Sequence, residues 1–279
     1  MSNIAFLGTG LLGAAFVEAA LGRGESVTVW NRSRGKAEAL KPFGARVADT
    51  PAAAVEGADR VHLVLQDDAS VDEVIAALRP GLAPTAMIID HTTTQPHKTA
   101  ERVARLNAEG VAYLHCPVFI GPVAARKSEG IILASGPEAL FARVKPALER
   151  MATRVEYFGE RGELAAAYKL IGNCMLLSIT GVVADAFAVG AGAGITPADA
   201  MKLLEFFNPA GVIAGRGKKM AAGDYSATFE LTMARKDIRL MIETAGEQPL
   251  ATLPGLATRM DAMIAAGRGQ DDIGVIAAR

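Results

Sequence analysis

The sequence predicts an α/β protein in two parts: an N-terminal, Rossmann-like domain with a doubly wound, mainly parallel sheet, and an all-helical C-terminal domain. Three observations support this class. Short apolar runs alternate with helix-length segments from residue 4 to about residue 158, and a glycine-rich turn follows the first run. After Gly159, apolar residues recur only at helical spacing. Strands separated by helices of this length imply right-handed crossovers and therefore parallel pairing.

The first apolar run, residues 4–7, has the composition of a strand buried on both faces. A G-T-G-L-L-G segment follows at positions 8–13, and residues 14–21 are predicted to be a helix. In such a turn the glycines allow a tight bend, a close pyrophosphate and close helix packing, and the helix N-terminus offers free N–H groups to phosphates. The alternative is a glycine-rich turn without a ligand. We expect a dinucleotide at Gly8, Thr9, Gly10, Leu11, Leu12 and Gly13.

The remaining elements of the N-terminal domain are bounded by turn residues, with Thr50 as a predicted N-cap before Pro51. Further strands are predicted at residues 26–30, 61–65, 87–90, 111–115, 131–134 and 154–158. Helices are predicted at residues 33–40, 51–56, 70–78, 96–109 and 137–150.

The second part of the chain is predicted to contain only helices. They cover residues 163–193, 197–207, 211–220, 231–245 and 256–266, separated by turn residues. The predicted domains therefore span residues 1–160 and 161–279, and the helix of about residues 162–193 joins them. The apolar stretch 174–195 has the length of a membrane span, but it contains Asp185 and several glycines. A helix buried in the protein is the preferred interpretation.

Composition excludes some classes of partner. The net charge of −1 shows no basic surplus for nucleic acid or an anionic membrane. The two cysteines, Cys116 and Cys174, are far apart, and no signal peptide is recognised at the N-terminus. These features indicate a cytoplasmic protein with free thiols and with neither nucleic acid nor a membrane as its partner. His91 and His97 lack the Cys or carboxylate partners of a metal site, so no metal is expected.

The end of the second strand indicates which dinucleotide binds. An NAD-binding fold places a carboxylate there for the ribose hydroxyls. This chain has Asn31, Arg32 and Ser33 instead, and Arg34 and Lys36 add positive charge. A guanidinium suits a 2′-phosphate. NADP(H) is therefore the expected cofactor, and a solvated basic turn is the alternative.

Other candidate site residues lie where strands end or on one helix face. Leu65, Gln66, Asp67 and Thr93 follow strands at the carboxyl edge of the sheet, where ligands bind in such folds. Lys169 and Asn173 are four residues apart on the long helix, so they share a face. A lysine whose pKa is lowered by desolvation can act as general acid and base. A snorkelling lysine and a packing amide are the alternatives.

The sequence resembles the β-hydroxyacid dehydrogenase family over nearly its whole length. That family includes 3-hydroxyisobutyrate dehydrogenases, tartronate semialdehyde reductases and glyoxylate/succinic semialdehyde reductases, and its nucleotide-binding domain is of the 6-phosphogluconate dehydrogenase type. Four segments match in order: the glycine turn, the D-H-T-T-T-Q-P loop at 90–96, the G-x-x-x-x-x-x-K-x-x-x-N helix at 162–173, and residues 229–240 with a late G-x-G-x-x-D at 267–272. The resemblance implies a helical oligomerisation domain, a catalytic Lys169, a substrate-orienting Asn173, and Lys236 near the nicotinamide.

One departure from the family pattern falls at the substrate. The family's D-A-P-V-S-G-G loop is H-C-P-V-F-I-G here, so Phe119 stands for the serine and Ile120 for the first glycine, before Gly121. In the family these positions bind the substrate carboxylate. Phe119 has no side-chain donor, and Ile120 lacks the backbone freedom of glycine. We therefore expect a more apolar substrate pocket.

Three functions follow as hypotheses. The first is an NADPH-dependent reductase of a small aldehyde or keto compound, reversible as a hydroxyacid dehydrogenase (EC 1.1.1.-). The second is reduction of an apolar imine, which the loop at Phe119 favours and the presence of Lys169 opposes. The third is a catalytically silent NADP-binding module. The glycine- and alanine-rich helices predict a homodimer or homotetramer.

Overall fold

The computed structural model describes residues 3–278, and a six-stranded parallel sheet forms the base of its N-terminal part. The strands are β1 (Asn3–Leu7), β2 (Ser26–Trp30), β3 (Arg46–Val47), β4 (Arg60–Leu63), β5 (Met87–Asp90) and β6 (Ala112–His115). Their spatial order is β3-β2-β1-β4-β5-β6. The order reverses beside β1, as in doubly wound folds that bind ligands at this reversal. The predicted fold class is therefore confirmed.

Helices lie on both faces of this sheet. They are α1 (Leu11–Gly22), α2 (Arg34–Glu38), α3 (Pro51–Val55), α4 (Asp68–Leu78) and α5 (Pro96–Ala108). Alternate residues of β1 enter two separate cores, as the pleat of a strand requires. Ile4 and Phe6 pack in a core with α1, whereas Ala5 and Leu7 pack in a core with α3, α4 and α5. Burial on both faces explains the uninterrupted apolar run at the start of the chain.

Two strands that the sequence assigned to the same series form a second, three-stranded sheet. Its members are β7 (Val118–Phe119), β8 (Ile131–Ala134) and β9 (Arg154–Tyr157), with α6 (Pro122–Arg126) and α7 (Glu138–Leu148) beside them in sequence. β7 pairs antiparallel with β8, and β8 pairs parallel with β9. A single bridge between His115 and Ser135 links the two sheets. The two-residue β7 carries no periodic signal, so the second sheet was not predicted.

The rest of the described chain is helical. It comprises α8 (Leu164–Gly192), α9 (Pro197–Met201), α10 (Pro209–Ala221), α11 (Leu231–Ala245) and α12 (Leu253–Ala265). A 3-10 turn, Lys202–Glu205, extends α9, and another, Ile273–Ala277, follows α12. The chain divides into two compact units after Asn173, inside α8. The sequence places its domain boundary earlier, at residue 160, because it separates the units by the class of element that they contain.

The middle of α8 is exposed, which corrects the prediction of a helix buried within the chain. By length and composition alone α8 could cross a membrane, and only 17% of its apolar window is buried. Leu177, for example, is 69% exposed. Asp185 is nevertheless buried in the same helix, and its carboxylate accepts hydrogen bonds from the backbone N–H groups of Ala251, Thr252 and Leu253. Residues 251–253 therefore cover α8 at this position. An apolar sequence indicates that a helix face is unfavourable in water. It does not indicate whether the same chain or another chain buries that face.

Candidate active site

A cavity of about 420 Å³ opens at the carboxyl ends of β1, β2 and β4. It lies where the strand order reverses, as expected for a ligand site in this fold. Among the predicted cofactor residues, the lining includes Gly8, Gly10, Asn31, Arg32, Ser33, Leu65 and Gln66. Trp30, Lys36, Val64, Ser70 and Val74 complete it. The three chain segments that sequence analysis assigned to the nucleotide thus meet in one place.

Glycine is required at the three positions of the turn for two different physical reasons. Gly8 has a φ of +98°, and a Cβ there would lie 2.2 Å from the carbonyl oxygen of Val64. A Cβ on Gly13 would lie 2.0 Å from the carbonyl oxygen of Gly8. The fold itself therefore requires both residues. Around Gly10 no atom lies within 4 Å of a Cβ position, and the residue faces the cavity. The missing side chain at Gly10 leaves room for a ligand rather than for the protein.

Polar groups at the turn also fit an anionic ligand. Gly10 is the N-cap of α1, no side chain caps that helix, and its first turn contains no acidic residue. The N–H groups of Leu11, Leu12 and Gly13 are therefore available to a phosphate. The hydroxyl of Thr9 is buried and has no hydrogen-bond partner. These features fit the pyrophosphate of a dinucleotide, which would be held by the turn and the start of α1.

Asn31 connects this turn to the end of β2. Its Oδ1 accepts a 2.9 Å hydrogen bond from the N–H of Thr9, and its Nδ2 donates at 3.0 Å to the carbonyl oxygen of Ser33. The amide nitrogen carries two hydrogens, so one donor remains for a ligand. Asn31 therefore fixes the shape of the cavity wall as well as supplying a donor.

The basic residues beside the cavity are partly neutralised by carboxylates. A nitrogen of Arg32, Nη2, lies 2.6 Å from Oε2 of Glu73, and both side chains are about two-thirds exposed. Arg34 pairs with Glu38 at 3.0 Å and also with Asp49. All three ion pairs are exposed, so each is weak enough for an incoming phosphate to replace the carboxylate. Lys36 lines the cavity beside them.

Several predicted cofactor residues do not line this cavity. Leu11 is 83% exposed at the start of α1. Asp67 caps α4, because its Oδ1 accepts a 2.8 Å hydrogen bond from the N–H of Ser70. Thr93 lies half-buried in the loop after β5. Lys236, in the helical unit, pairs with the neighbouring Asp237 at 2.8 Å. The roles of these residues remain predictions.

The predicted catalytic pair lies on one face of α8, as its spacing requires. The Nζ of Lys169 donates a 2.9 Å hydrogen bond to Oδ1 of Asn173. Lys169 is only 9% exposed, and burial lowers the pKa of its amine. Lysine is almost never buried to this extent without a partner. Within residues 3–278 the one polar partner found for the amine is a neutral amide, and desolvation is the cause that lowers its pKa.

Phe119 lies directly against this pair. The Nζ of Lys169 is 4.3 Å from the centroid of the Phe119 ring. A Cβ on Gly172 would lie 2.2 Å from Cζ of the same ring, so the ring rests on the bare backbone of α8. Ile120 is fixed in a similar way, because a Cβ on Gly130 would lie 2.8 Å from its Cγ1. Gly121 is exposed and caps α6. At the family's serine position, Phe119 thus presents carbon to Lys169.

The start of α8 is anchored to the strands that precede it. The hydroxyl of Ser135 donates to the carbonyl oxygen of Gly162 and accepts from the N–H of Ala165, both at 2.9 Å. The rings of Phe158 and Tyr168 stack with centroids 4.1 Å apart. These contacts fix the position of the first turns of α8, from which the side chain of Lys169 projects.

Gly172, Glu73 and Trp30 are among the residues of the site that sequence analysis did not assign to it. Gly172 and Glu73 act through contacts between distant segments, and no sequence pattern predicts such contacts. Trp30 ends β2 beside the predicted cofactor residues, so its position could have been recognised. Within residues 3–278 no group of three His, Cys, Asp or Glu side chains is arranged to hold a metal.

Comparison with known proteins agrees with this geometry. Residues 3–159 match the model of the NAD-binding domain of 6-phosphogluconate dehydrogenase. The chain is 30% identical to an uncharacterized oxidoreductase of Bacillus subtilis, covering 90% of this chain and 89% of that protein. It is 27% identical to glyoxylate/succinic semialdehyde reductase 1 of Arabidopsis thaliana, covering 93% and 91%. An imine reductase of Myxococcus stipitatus in complex with NADP+ has the same fold, with a TM-score of 0.88, 20% identity and 98% coverage of each chain.

The matched domain and the relatives identify an oxidoreductase with an NAD(P)-binding domain, and the cavity at the sheet edge lies in that domain. The match covers more than half of the chain, and a relative at 30% identity extends over most of the remainder. The chain belongs to the β-hydroxyacid dehydrogenase family, with an NAD(P)-binding domain of the 6-phosphogluconate dehydrogenase type.

Proposed function

We propose that this protein is an NADPH-dependent reductase of small carbonyl compounds, reversible as an alcohol or hydroxyacid dehydrogenase. The observation that carries the proposal is the buried amine of Lys169, hydrogen-bonded to Asn173 on a helix anchored in the nucleotide-binding unit. When bound, the reduced nicotinamide supplies a hydride. The residues of this chain supply the proton and hold the carbonyl oxygen.

Lys169 is the proton donor in this proposal. As the carbonyl carbon accepts the hydride, the oxygen gains negative charge and takes a proton from the Nζ of Lys169. The neutral amine then recovers a proton from solvent. In the reverse direction the neutral amine removes the proton of the alcohol. The lowered pKa of Lys169 increases the neutral fraction near pH 7 and so favours this step. Asn173 orients the amine and the oxygen.

The preference for NADPH over NADH follows from the end of β2. Arg32 lines the cavity after β2, where NAD-binding folds carry a carboxylate. Such a carboxylate would repel a 2′-phosphate. Its guanidinium can form two parallel hydrogen bonds with phosphate oxygens. Lys36 adds a second positive charge to the same wall. The solved imine reductase with bound NADP+ supports this choice as a protein of the same fold.

The test is a panel of aldehydes, keto acids and ketones, assayed with NADPH and with NADH. Lys169→Ala should lower kcat roughly a hundredfold or more, the usual contribution of a positioned general acid. Lys145→Ala is the matched control, because Lys145 is an exposed lysine on α7 and should leave kcat unchanged. Unchanged activity in Lys169→Ala would disprove the proposed role. Binding of NADPH without turnover of any compound would favour the silent binding module.

Imine reduction is a second candidate, and Phe119 is the observation that favours it. An imine carries no carboxylate, and the carbon surface of Phe119 and Ile120 suits an apolar substrate. A protonated lysine beside an iminium would oppose it by charge repulsion. Assays with cyclic imines beside the carbonyl panel separate the two. Turnover of imines alone, unaffected by Lys169→Ala, would select this candidate.

We also propose that the protein is a cytoplasmic homodimer formed through its helical part. The exposed face of α8 is almost entirely apolar and would be costly to leave in water. Its large exposed side chains include Ile171, Met175, Leu176, Leu177, Ile179 and Val182. A second copy of the same face is the covering surface that the chain itself offers. Light scattering after size exclusion measures the mass, and Leu177→Glu should yield monomers if this face is the interface.

A further inference from the structure

The ring of Phe119 is held in a fixed position beside Lys169. It belongs to the last residue of β7, which pairs with Ile131 of β8. The far end of the ring occupies the space of a Cβ at position 172. A Cβ on Gly172 would lie 2.2 Å from Cζ and 2.8 Å from Cε1 of the ring. Only glycine at position 172 allows this contact. Ile120 meets a second glycine, Gly130, with comparable closeness. Phe119 and Ile120 are therefore each packed against the backbone of a glycine.

The ring covers one side of the amine that we propose as proton donor. Lys169, Gly172 and Asn173 lie within four residues on α8, so they share one face. The ring contacts this face at Gly172, and Nζ of Lys169 lies 4.3 Å from its centroid. A substrate oxygen that reaches Lys169 must therefore bring its neighbouring atoms close to the edge or the face of Phe119.

The arginine closest to Phe119 in the following segment is already paired with a carboxylate. Arg126, in α6, is the nearest guanidinium in sequence. Its Nε and Nη2 lie 2.6 and 3.0 Å from the two carboxylate oxygens of Glu18. This bidentate pair uses the fork geometry that would otherwise bind a carboxylate. The guanidinium is thus held on α1.

We infer that Phe119 is a specificity-determining residue that selects carbonyl substrates whose remaining part is uncharged and apolar, and that Gly172 creates the space for it. The inference rests on the proposed carbonyl reduction by Lys169. A carboxylate placed against the ring would lose water without gaining a hydrogen bond, and it would face the negative π surface. An alkyl or aryl group in the same place buries its own apolar surface and that of the ring, which is favourable.

A matched pair of aldehydes tests this selection. Butanal and succinic semialdehyde have the same four-carbon chain, ending in a methyl group and a carboxylate respectively. Wild type should show kcat/KM at least about tenfold higher for butanal. Phe119→Ser combined with Ile120→Gly restores the family's serine and glycine, and should change the ratio in favour of succinic semialdehyde by about a hundredfold. Phe119→Leu is the control and should retain the preference for butanal. A wild-type preference for succinic semialdehyde would overturn the inference.

A binding measurement separates this inference from the proposed function. Calorimetric titration of succinate into the NADPH-bound protein involves no turnover, because succinate has no reducible carbonyl. We expect no detectable heat with wild type or Phe119→Leu, and saturable binding with the Phe119→Ser/Ile120→Gly protein. If wild type binds succinate as tightly as that variant, Phe119 does not select against carboxylates. If the binding difference holds while no carbonyl is reduced, the proposed function fails and the selection by Phe119 stands. Thermal melting shows that each variant is folded.

Discussion

The Nζ of Lys169 donates a 2.9 Å hydrogen bond to Oδ1 of Asn173, one helical turn further along α8. A neutral amide fixes the direction of the amine without adding a negative charge that would favour the ammonium form. Burial therefore acts on the pKa of Lys169 without an opposing ion pair, and lowers it. An amine in this environment can give a proton in one direction and accept it in the other.

This relationship predicts opposite pH profiles for the two reaction directions. Carbonyl reduction should fall as pH rises through the pKa of Lys169, because the ammonium is the donor. Alcohol oxidation should rise over the same interval, because the neutral amine is the base. Both transitions should lie below the value of about 10.4 that lysine has in water. Steady-state kcat/KM against pH, measured in each direction, gives the two midpoints.

Lys169→Arg provides the control for this pH dependence. Arginine keeps the positive charge but does not lose its proton in the accessible pH range. Oxidation should become undetectable, and reduction should fall sharply because the guanidinium does not give up its proton. Any residual reduction, in which the charge of the guanidinium only stabilises the oxygen, should show no decline at high pH. Lys145→Arg should leave both profiles unchanged. If Lys169→Arg retains the wild-type midpoints, another group titrates.

Cofactor preference should depend on the ion pair between Arg32 and Glu73. Arg32→Ala should weaken NADPH binding roughly ten- to a hundredfold, since charged hydrogen bonds to a phosphate are lost, and should leave NADH unchanged. Glu73→Gln should strengthen NADPH binding by up to about fivefold, because the carboxylate of Glu73 then no longer competes with the 2′-phosphate for Arg32. Trp30 is the only tryptophan and lines the cavity, so its fluorescence reports the dissociation constants without turnover.

Arg154→Ala is the matched control for Arg32→Ala, because Arg154 is an exposed arginine on β9 that pairs with Glu156. It should change neither dissociation constant. Equal weakening of NADPH and NADH by Arg32→Ala would mean that Arg32 does not contact the 2′-phosphate.

Local patterns predicted most of the fold. Residues 26–30, 87–90, 131–134 and 231–245 have the observed bounds, because apolar periodicity and turn residues fix such elements within their own segments. β3 and β7 escaped prediction because a two-residue strand exists only through its pairing with a distant one. The same limit applies to the site. The spacing of Lys169 and Asn173 is local and was found, whereas the contact between Phe119 and Gly172 joins segments more than fifty residues apart.

A buried histidine pair predicts that the protein loses stability in acid. Nδ1 of His62 lies 2.9 Å from Nε2 of His91, and Nδ1 of His91 lies 2.7 Å from the carbonyl oxygen of Cys116. A carbonyl can only accept, so Nδ1 of His91 carries the hydrogen, and its Nε2 accepts from His62. Burial keeps both rings neutral, and an added proton on Nε2 of His91 would place its N–H against the Nδ1–H of His62.

Burial lowers the pKa of His91 to about 4 and that of His62 well below its usual value. The unfolded chain binds protons below about pH 6.5 and the folded one does not, so stability decreases as pH falls from 6.5 toward 4. His91 alone should cost about 2 kcal/mol at pH 5. Urea unfolding at pH 7.5 and pH 5 measures this loss. The loss should shrink in His62→Leu/His91→Leu and remain in His97→Asn, since His97 is exposed. An equal loss in the double variant would assign it to other groups.

The contact between Phe119 and Gly172 predicts that one substitution changes sign with its background. In wild type, Gly172→Ala places a methyl group 2.2 Å from Cζ of Phe119 and should destabilise the protein by about 1–3 kcal/mol. In a Phe119→Ala background the space is free, and alanine's helix propensity should make the same change stabilising by up to about 1 kcal/mol. Urea unfolding of the four proteins gives the coupling energy directly. Gly217→Ala, on α10 with no atom near its Cβ position, should have the same effect in both backgrounds. A stabilising Gly172→Ala in wild type would show that the ring does not rest on α8.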